Sequence, residues 1–288
     1  MEKVLITGAS GMLGRYVVRF LENTNYEVIA PSSEAVNLSN LAGIKEYIER
    51  AKPSAILHLA AETDVDLCER DPARAGLYNH LATDVIARAA AACGAWVLYV
   101  STSGIFGGDA KPIFNELDFP SPVNYYARSK FWGERAIGKH CPDNSLIVRA
   151  GWMIGGGAAH DHKFIGKIIK QIADGAEVLR AVTDKYGTIT RAEALANFIV
   201  ASLKIRRRGL FHYASTGVTT RFEIAKAVAN FTNFKGKVEG VPSSLYPLSA
   251  PRPTFDGIES IYLGYETDAV QPNSWEDDVR AYMKEFNI

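Results

Sequence analysis

Tyr126 and Lys130 stand four residues apart in Tyr126-Ala127-Arg128-Ser129-Lys130, a spacing that on a helix puts a phenol and an ammonium on one face. A positive charge held beside a phenol favours phenolate, so Tyr126 is expected to titrate below a free tyrosine and to move a proton near neutral pH. Upstream, the apolar run Trp96-Val97-Leu98-Tyr99-Val100 reads as a buried strand that ends in the hydroxyls of Ser101, Thr102 and Ser103. Ligands of open parallel sheets bind at that carboxyl edge. A hydroxyl there that polarises a carbonyl, with a phenol supplying its proton, fits carbonyl reduction by a hydride-donating cofactor.

The cofactor is expected at Gly8-Ala9-Ser10-Gly11-Met12-Leu13-Gly14. This stretch lies between a strand-like run, Lys3-Val4-Leu5-Ile6-Thr7, and a helical pattern beginning at Arg15. Gly8 suits a tight turn, Gly11 the close approach of a pyrophosphate, and Gly14 close packing of the helix on the sheet. Ser10, Met12 and Leu13 complete the expected cradle, and the helix N-terminus offers free N–H groups to the anion. The second strand, Tyr26-Glu27-Val28-Ile29-Ala30, is followed by Pro31-Ser32-Ser33 with no carboxylate before Glu34 to receive a ribose 2′-hydroxyl. That favours NADP, with NAD as the alternative, and makes Arg15 a candidate for a 2′-phosphate.

Positioning these groups requires strands that alternate with helices. Apolar runs at Val4-Leu5-Ile6-Thr7, Val28-Ile29-Ala30, Ala55-Ile56-Leu57-His58-Leu59, Val97-Leu98-Tyr99-Val100 and Leu146-Ile147-Val148-Arg149 are separated by helical patterns. The expectation is an α/β fold: a doubly wound parallel Rossmann sheet with a smaller substrate-binding lobe interleaved in sequence. Residues 1–150 are assigned to the dinucleotide half and 151–288 mainly to the substrate lobe, with a strand near 209–214 returning to the sheet.

Composition sets further bounds. A chain of 288 residues that is 47% hydrophobic can bury a large core, and its 32 basic and 32 acidic residues give no global field for nucleic acid or an anionic membrane. Arg206-Arg207-Arg208, just before Gly209, reads as a helix end. Cys68, Cys93 and Cys141 show no metal spacing, and His160-Asp161-His162 lacks further clustered ligands, so no metal is expected. The first strand begins within a few residues of Met1 and no apolar run suffices for a bilayer, so the protein is expected in the cytoplasm.

Read together, these pieces resemble the extended short-chain dehydrogenase/reductase superfamily and, within it, the dTDP-4-dehydrorhamnose reductase family. The resemblance rests on Gly8 to Gly14, His58 to Asp66, Asn79, Ser101-Thr102, Tyr126 to Lys130 with Gly133-Glu134, and Arg149 with Gly151-Trp152. It continues through Asp184-Lys185-Tyr186-Gly187-Thr188, Arg252-Pro253 and the tail from Ser274-Trp275 to Arg280. It implies NADPH-dependent reduction of the C4 keto group of a nucleotide-linked 4-keto-6-deoxyhexose. Thr102 would polarise the sugar carbonyl, Tyr126 donate the proton, and Lys130 hold the nicotinamide ribose. Ala60, Ala61 and Thr63 would line the cofactor and substrate cleft, with Asn79 beneath it. Ser103, Trp152, Lys163 and Arg252 would join Thr63 and Thr102 on the substrate, and the proline-rich stretch 242–253 would cover it. Four positions depart from the family pattern: Ser103-Gly104 replace an aspartate and a tyrosine, Lys163 replaces an asparagine, and Tyr16 replaces a magnesium-binding glutamate. A nucleotide-sugar epimerase or dehydratase that retains NAD, or a non-catalytic NADP-binding regulatory subunit, remains an alternative. A homodimer through the helices flanking Tyr126 is implied by the resemblance alone.

Overall fold

Burial of Val4 to Thr7 in β1 (Glu2–Thr7), of all of β3 (Ala55–His58) and of Trp96 to Ser101 in β4 (Trp96–Thr102) follows from the apolar runs these strands contain, the signature of strands covered on both faces. The computed structural model describes residues 1–108, 111–266 and 269–288. With β2 (Tyr26–Ile29), β5 (Ser145–Ala150) and β6 (Gly209–Tyr213), these strands form one parallel sheet in the order β6-β5-β4-β3-β1-β2. The chain starts at β1, moves outward to β2, then crosses back to place β3 on the other side of β1. The strand order therefore reverses between β1 and β3, where the loops after their carboxyl ends splay apart and leave a crevice.

Side-chain alternation divides the core into two layers. Val4, Ile6, Leu57 and Leu98 face α1 (Met12–Leu21) and α6 (Ala192–Ile205) through Leu13, Val17, Leu195 and Ile199. Leu5, Ile56 and Val97 face α2 (Leu41–Ala51), α3 (Ala82–Cys93) and α4 (Tyr125–His140) through Ile44, Ile48, Ile86 and Ile137. A second apolar cluster gathers α5 (Phe164–Ala173), α7 (Arg221–Phe231) and α8 (Trp275–Met283) around Ile165, Ile168, Leu179, Val228 and Tyr282. Short strand pairs, including Val178–Val182 with Lys237–Val241 and Trp152–Ile154 with Ile189–Arg191, support this smaller lobe. The chain visits it, returns through α6 and β6 to the large sheet, and leaves again.

Helix ends are set by local chemistry. Asn124 caps α4, accepting from the Ala127 N–H at 2.9 Å, and its own amide donates to the Pro251 carbonyl, also at 2.9 Å. Thr220 and Glu223 cap each other's backbone at the start of α7. Arg206 closes α6 with φ of 50° and pairs with Glu2, while Arg207 pairs with Glu266. Asp161 is a capping residue too, accepting from the Lys163 and Gly166 N–H groups at 2.7 and 2.9 Å. No helix among the described residues is long and apolar enough to cross a membrane.

A buried ion pair ties α4 to the sheet. Arg149 on β5 donates to Glu134 on α4 through Nε at 3.0 Å and through a second nitrogen at 2.7 Å, both residues being about 95% buried by their 4% and 5% exposures. Its remaining nitrogen lies 3.3 Å from His212 Nε2, and burial pushes that imidazole down to about 4, so it is neutral and accepts. Removing Glu134 alone leaves a buried guanidinium without its anion. Glu134→Leu is expected to cost about 3–5 kcal/mol, read as a lower urea midpoint at unchanged slope, with Arg149→Met in the same chain recovering much of it.

Candidate active site

Glycines make the first wall of the cleft at the reversal point. Gly8 has φ of +73°, and a Cβ there would meet the Ala60 backbone nitrogen at 2.8 Å, so the turn after β1 can approach the end of β3 only without a side chain. A Cβ on Gly14 would lie 2.2 Å from the Gly8 carbonyl, which seats α1 directly under its own loop. Gly11 differs: among the described residues, chain neighbours aside, its Cβ position meets only the Gly8 carbonyl, at 3.2 Å. It begins α1 with no side-chain cap, so the first N–H groups of that helix are left for an anion. A diphosphate fits this cradle. Gly8, Ser10, Gly11, Met12, Leu13 and Gly14 all line a cleft of about 1380 Å³.

The opposite wall follows β3. Ala60, Ala61 and Thr63 line the cleft, and this segment is held from behind by Asn79. The Asn79 amide accepts from the Glu62 N–H at 2.8 Å and donates to the Glu62 carbonyl and the Ser129 hydroxyl at 3.0 Å each. With only 1% of its surface exposed, in the π-helical turn Gly76–Leu81, Asn79 lies beneath the cleft as the resemblance implies, but as a brace and not a cofactor contact: its side chain is committed to splinting that wall onto α4. Arg15 also lies off the wall, exposed on α1 with Nε donating to the Ser10 carbonyl at 2.8 Å. It buttresses the glycine loop, while Pro31, Ser32, Ser33 and Glu34 line the cleft at the end of β2.

A buried relay of hydroxyls stiffens the same region. Thr83 donates its proton to the Asn79 carbonyl at 2.8 Å, so it accepts from His58 Nε2 at 3.0 Å, leaving His58 Nδ1 to accept from Thr7 at 2.7 Å. Burial pushes His58 down to about 3, which keeps the ring neutral in this role.

Thr102, Tyr126 and Lys130 share the cleft wall. Thr102 ends β4, and its hydroxyl accepts from the Gly104 N–H at 3.1 Å, leaving its own proton to be given elsewhere. Lys130 is 3% exposed, with Nζ 4.1 Å from the centre of the Tyr99 ring. Burial pushes its ammonium down to about 7, while the Glu134 carboxylate one turn along α4 pulls it up. For Tyr126 the expectation of a lowered pKa is overturned. Burial pushes the phenol up to about 12, and the Thr102 hydroxyl beside it only partly offsets this. The group is a neutral O–H at physiological pH, a donor rather than a base.

Beyond Thr102 the wall turns polar. Ser103, Trp152, Lys163 and Arg252 line it. Sequence reasoning missed Asp256, which accepts from the Trp152 indole N–H at 3.0 Å and from Ser103 at 3.5 Å. Burial raises this carboxyl to about 6, against the pull of its hydrogen bonds and of Arg221. It supplies an acid beside Ser103, where the family pattern has one in the chain itself, and no local motif announced it. Lys185 and Arg221 were missed too. Arg221 left a signal: it is the first residue of α7, where a cation opposes the helix dipole. Arg252 does not stand alone, since it pairs with Asp66 at 3.0 Å while Lys185 donates to its carbonyl at 2.9 Å. Ser243, Ser244, Tyr246, Pro247 and Leu248 of the proline-rich stretch complete the wall.

Known proteins are similar to this chain along nearly its whole length. The crystal structure of dTDP-4-dehydrorhamnose reductase from Yersinia enterocolitica is 53% identical, with a TM-score of 0.98 over 99% of this chain and 100% of that one. The same-named protein of Bacillus anthracis str. Ames, solved in complex with NADP, is 27% identical with a TM-score of 0.92 over 99% of each chain. The curated dTDP-4-dehydrorhamnose reductase of Salmonella typhimurium is 29% identical over 98% of this chain and 97% of its own length. With residues 1–288 all matched, the chain belongs to the RmlD substrate binding domain family.

Proposed function

We propose that the protein reduces the C4 carbonyl of a dTDP-linked 4-keto-6-deoxyhexose with NADPH, NADH being the alternative donor. The observation that carries this reading is the convergence of the glycine cradle and of Thr102, Tyr126 and Lys130 on one cleft at the reversal of the strand order. It is supported by relatives named dTDP-4-dehydrorhamnose reductase, one of them solved with NADP. Residues 1–150 supply most of the dinucleotide side and 151–288 most of the substrate side. We further infer a cytoplasmic homodimer, for which Trp132 of α4 and Leu81, each 44% exposed, offer apolar surface.

NADPH supplies the hydride when bound. Thr102 donates a hydrogen bond to the sugar C4 oxygen and so favours the charge that develops there. Tyr126 then gives that oxygen its phenolic proton as the carbonyl becomes an alcohol. Because burial keeps the phenol protonated, the donor is present throughout the physiological range. Lys130, behind it, holds positive charge near the phenolate that each turnover creates, and holds the nicotinamide ribose. Arg252 and Lys163 attract the nucleotide half of the substrate, and Ser103 and Trp152 shape the sugar side with Asp256.

The test is NADPH oxidation at 340 nm with enzymatically generated dTDP-4-keto-6-deoxy-L-lyxo-hexulose, with product analysis. Tyr126→Phe is expected to lower kcat about 100- to 10,000-fold while NADPH affinity stays within about twofold. No turnover by wild-type protein that holds NADPH would defeat the assignment and favour the regulatory reading, and NAD retained through purification would favour an epimerase or dehydratase.

Lys130 gives a pH dependence of definite sign. An ammonium that titrates at about 7 is charged below that value and neutral above it, so affinity for an anionic dinucleotide falls as pH rises through 7. Fluorescence titration with NADH, which lacks the titrating 2′-phosphate, should show this decline, and Lys130→Met should flatten it. A dependence that survives in Lys130→Met belongs to another group.

A further inference from the structure

One half-buried arginine in the cleft has no carboxylate partner among the described residues. Arg74, Arg149, Arg191, Arg206, Arg207 and Arg252, the other arginines that are not fully exposed, each pair with an acid. Among the described residues Arg221 has neither an ion-pair partner nor a hydrogen-bond acceptor. Its guanidinium carbon lies 4.2 Å from the centre of the Trp152 ring and 5.1 Å from that of Phe164. Two aromatic contacts hold the guanidinium while leaving its five N–H donors uncommitted among the described residues.

The neighbouring groups leave the guanidinium's donors free for an anion. Asp256, the acid whose charge Arg221 feels, spends one oxygen on Trp152 Nε1 and Ser103. The indole is thus held by a carboxylate at its N–H edge and by a guanidinium over its ring, and an anion on the N–H strengthens the ring's pull on the cation. Lys163, on the rim of the same cleft, is pushed below an ordinary lysine by the surrounding protein, against the pull of the Asp161 carboxylate and with the charge of Arg221 adding to the push. Helix stability does not account for Arg221. The capping box of Thr220 and Glu223 starts α7, and a cation at its first position is unfavourable with the dipole.

We infer that Arg221, clamped between Trp152 and Phe164 and assisted by Lys163, grips the phosphate oxygens of the nucleoside diphosphate half of the substrate. A planar fork of donors matches two phosphate oxygens at once, which an ammonium does not. The identity of the anion rests on the nucleotide-sugar reading above. The cofactor also carries a diphosphate, and the experiment separates the two.

Calorimetric titration with dTDP of wild type, Arg221→Gln and Arg221→Lys, each saturated with NADP, provides the test, alongside NADPH affinity and thermal midpoint. Arg221→Gln should weaken dTDP at least about tenfold and Arg221→Lys less, with NADPH affinity unchanged in both and the thermal midpoint equal or higher. Wild-type dTDP affinity retained in Arg221→Gln would overturn the inference, as would parallel loss of NADPH affinity or a wild type that binds no dTDP. Tyr126-dependent turnover is scored separately. Turnover with dTDP affinity indifferent to Arg221 defeats the grip and leaves the reductase standing; loss of dTDP affinity in Arg221→Gln without turnover does the reverse.

Discussion

Two nearly parallel hydrogen bonds, 2.7 and 3.0 Å long, join Arg149 to Glu134 in a space from which water is excluded, and helix α4 takes its place on the sheet from them. A buried pair of this kind contributes little net stability against an apolar replacement, but it tolerates few geometries. Gly133, beside it, lets the helix come close: a Cβ there would lie 2.4 Å from the Tyr99 hydroxyl and 2.8 Å from the Asn79 carbonyl. Tyr126 and Lys130 occupy the turns just before this anchor, so their approach to Thr102 inherits its precision. The same carboxylate that neutralises Arg149 is felt by Lys130.

Burial outweighs neighbouring charge at the reactive groups. It raises the Tyr126 phenol, lowers the Lys130 ammonium and raises Asp256, each toward its neutral form. A site that keeps its acid protonated is suited to giving a proton away, which is the direction a carbonyl reduction requires. The spacing of Tyr126 and Lys130 correctly implied proximity, yet spacing carries no information about how much protein surrounds the pair. That is why the sign of the shift was misread from the residues alone.

The sheet was legible because strands buried on both faces must be written in consecutive apolar residues, and because Gly8 and Gly14 answer to backbone clashes that no other residue avoids. Most of the cleft wall was legible for the same reason: its residues sit in loops that leave those strands. Arg15 and Asn79 spend their side chains on hydrogen bonds to Ser10 and to Glu62, contacts that sequence does not announce and that turn a plausible ligand group into a brace. Asp256 was invisible, and Arg221 announced only by its place at the start of α7, since their chemistry arises from Trp152, a residue 104 positions from Asp256, by the sequence separation of their hydrogen bond.

The return of the chain through α6 and β6 has a consequence for how this architecture is inherited. Leu195, Phe198, Ile199 and Phe211 belong to the core of the large sheet, although residues on either side of them build the smaller lobe. A cut after residue 150 would strip the outer edge of β5 and one face of α1. The substrate lobe therefore cannot be exchanged between relatives as a single terminal segment. Recombination would have to replace two stretches and spare 192–213 between them, which makes gradual substitution along the cleft the more accessible route to a new sugar.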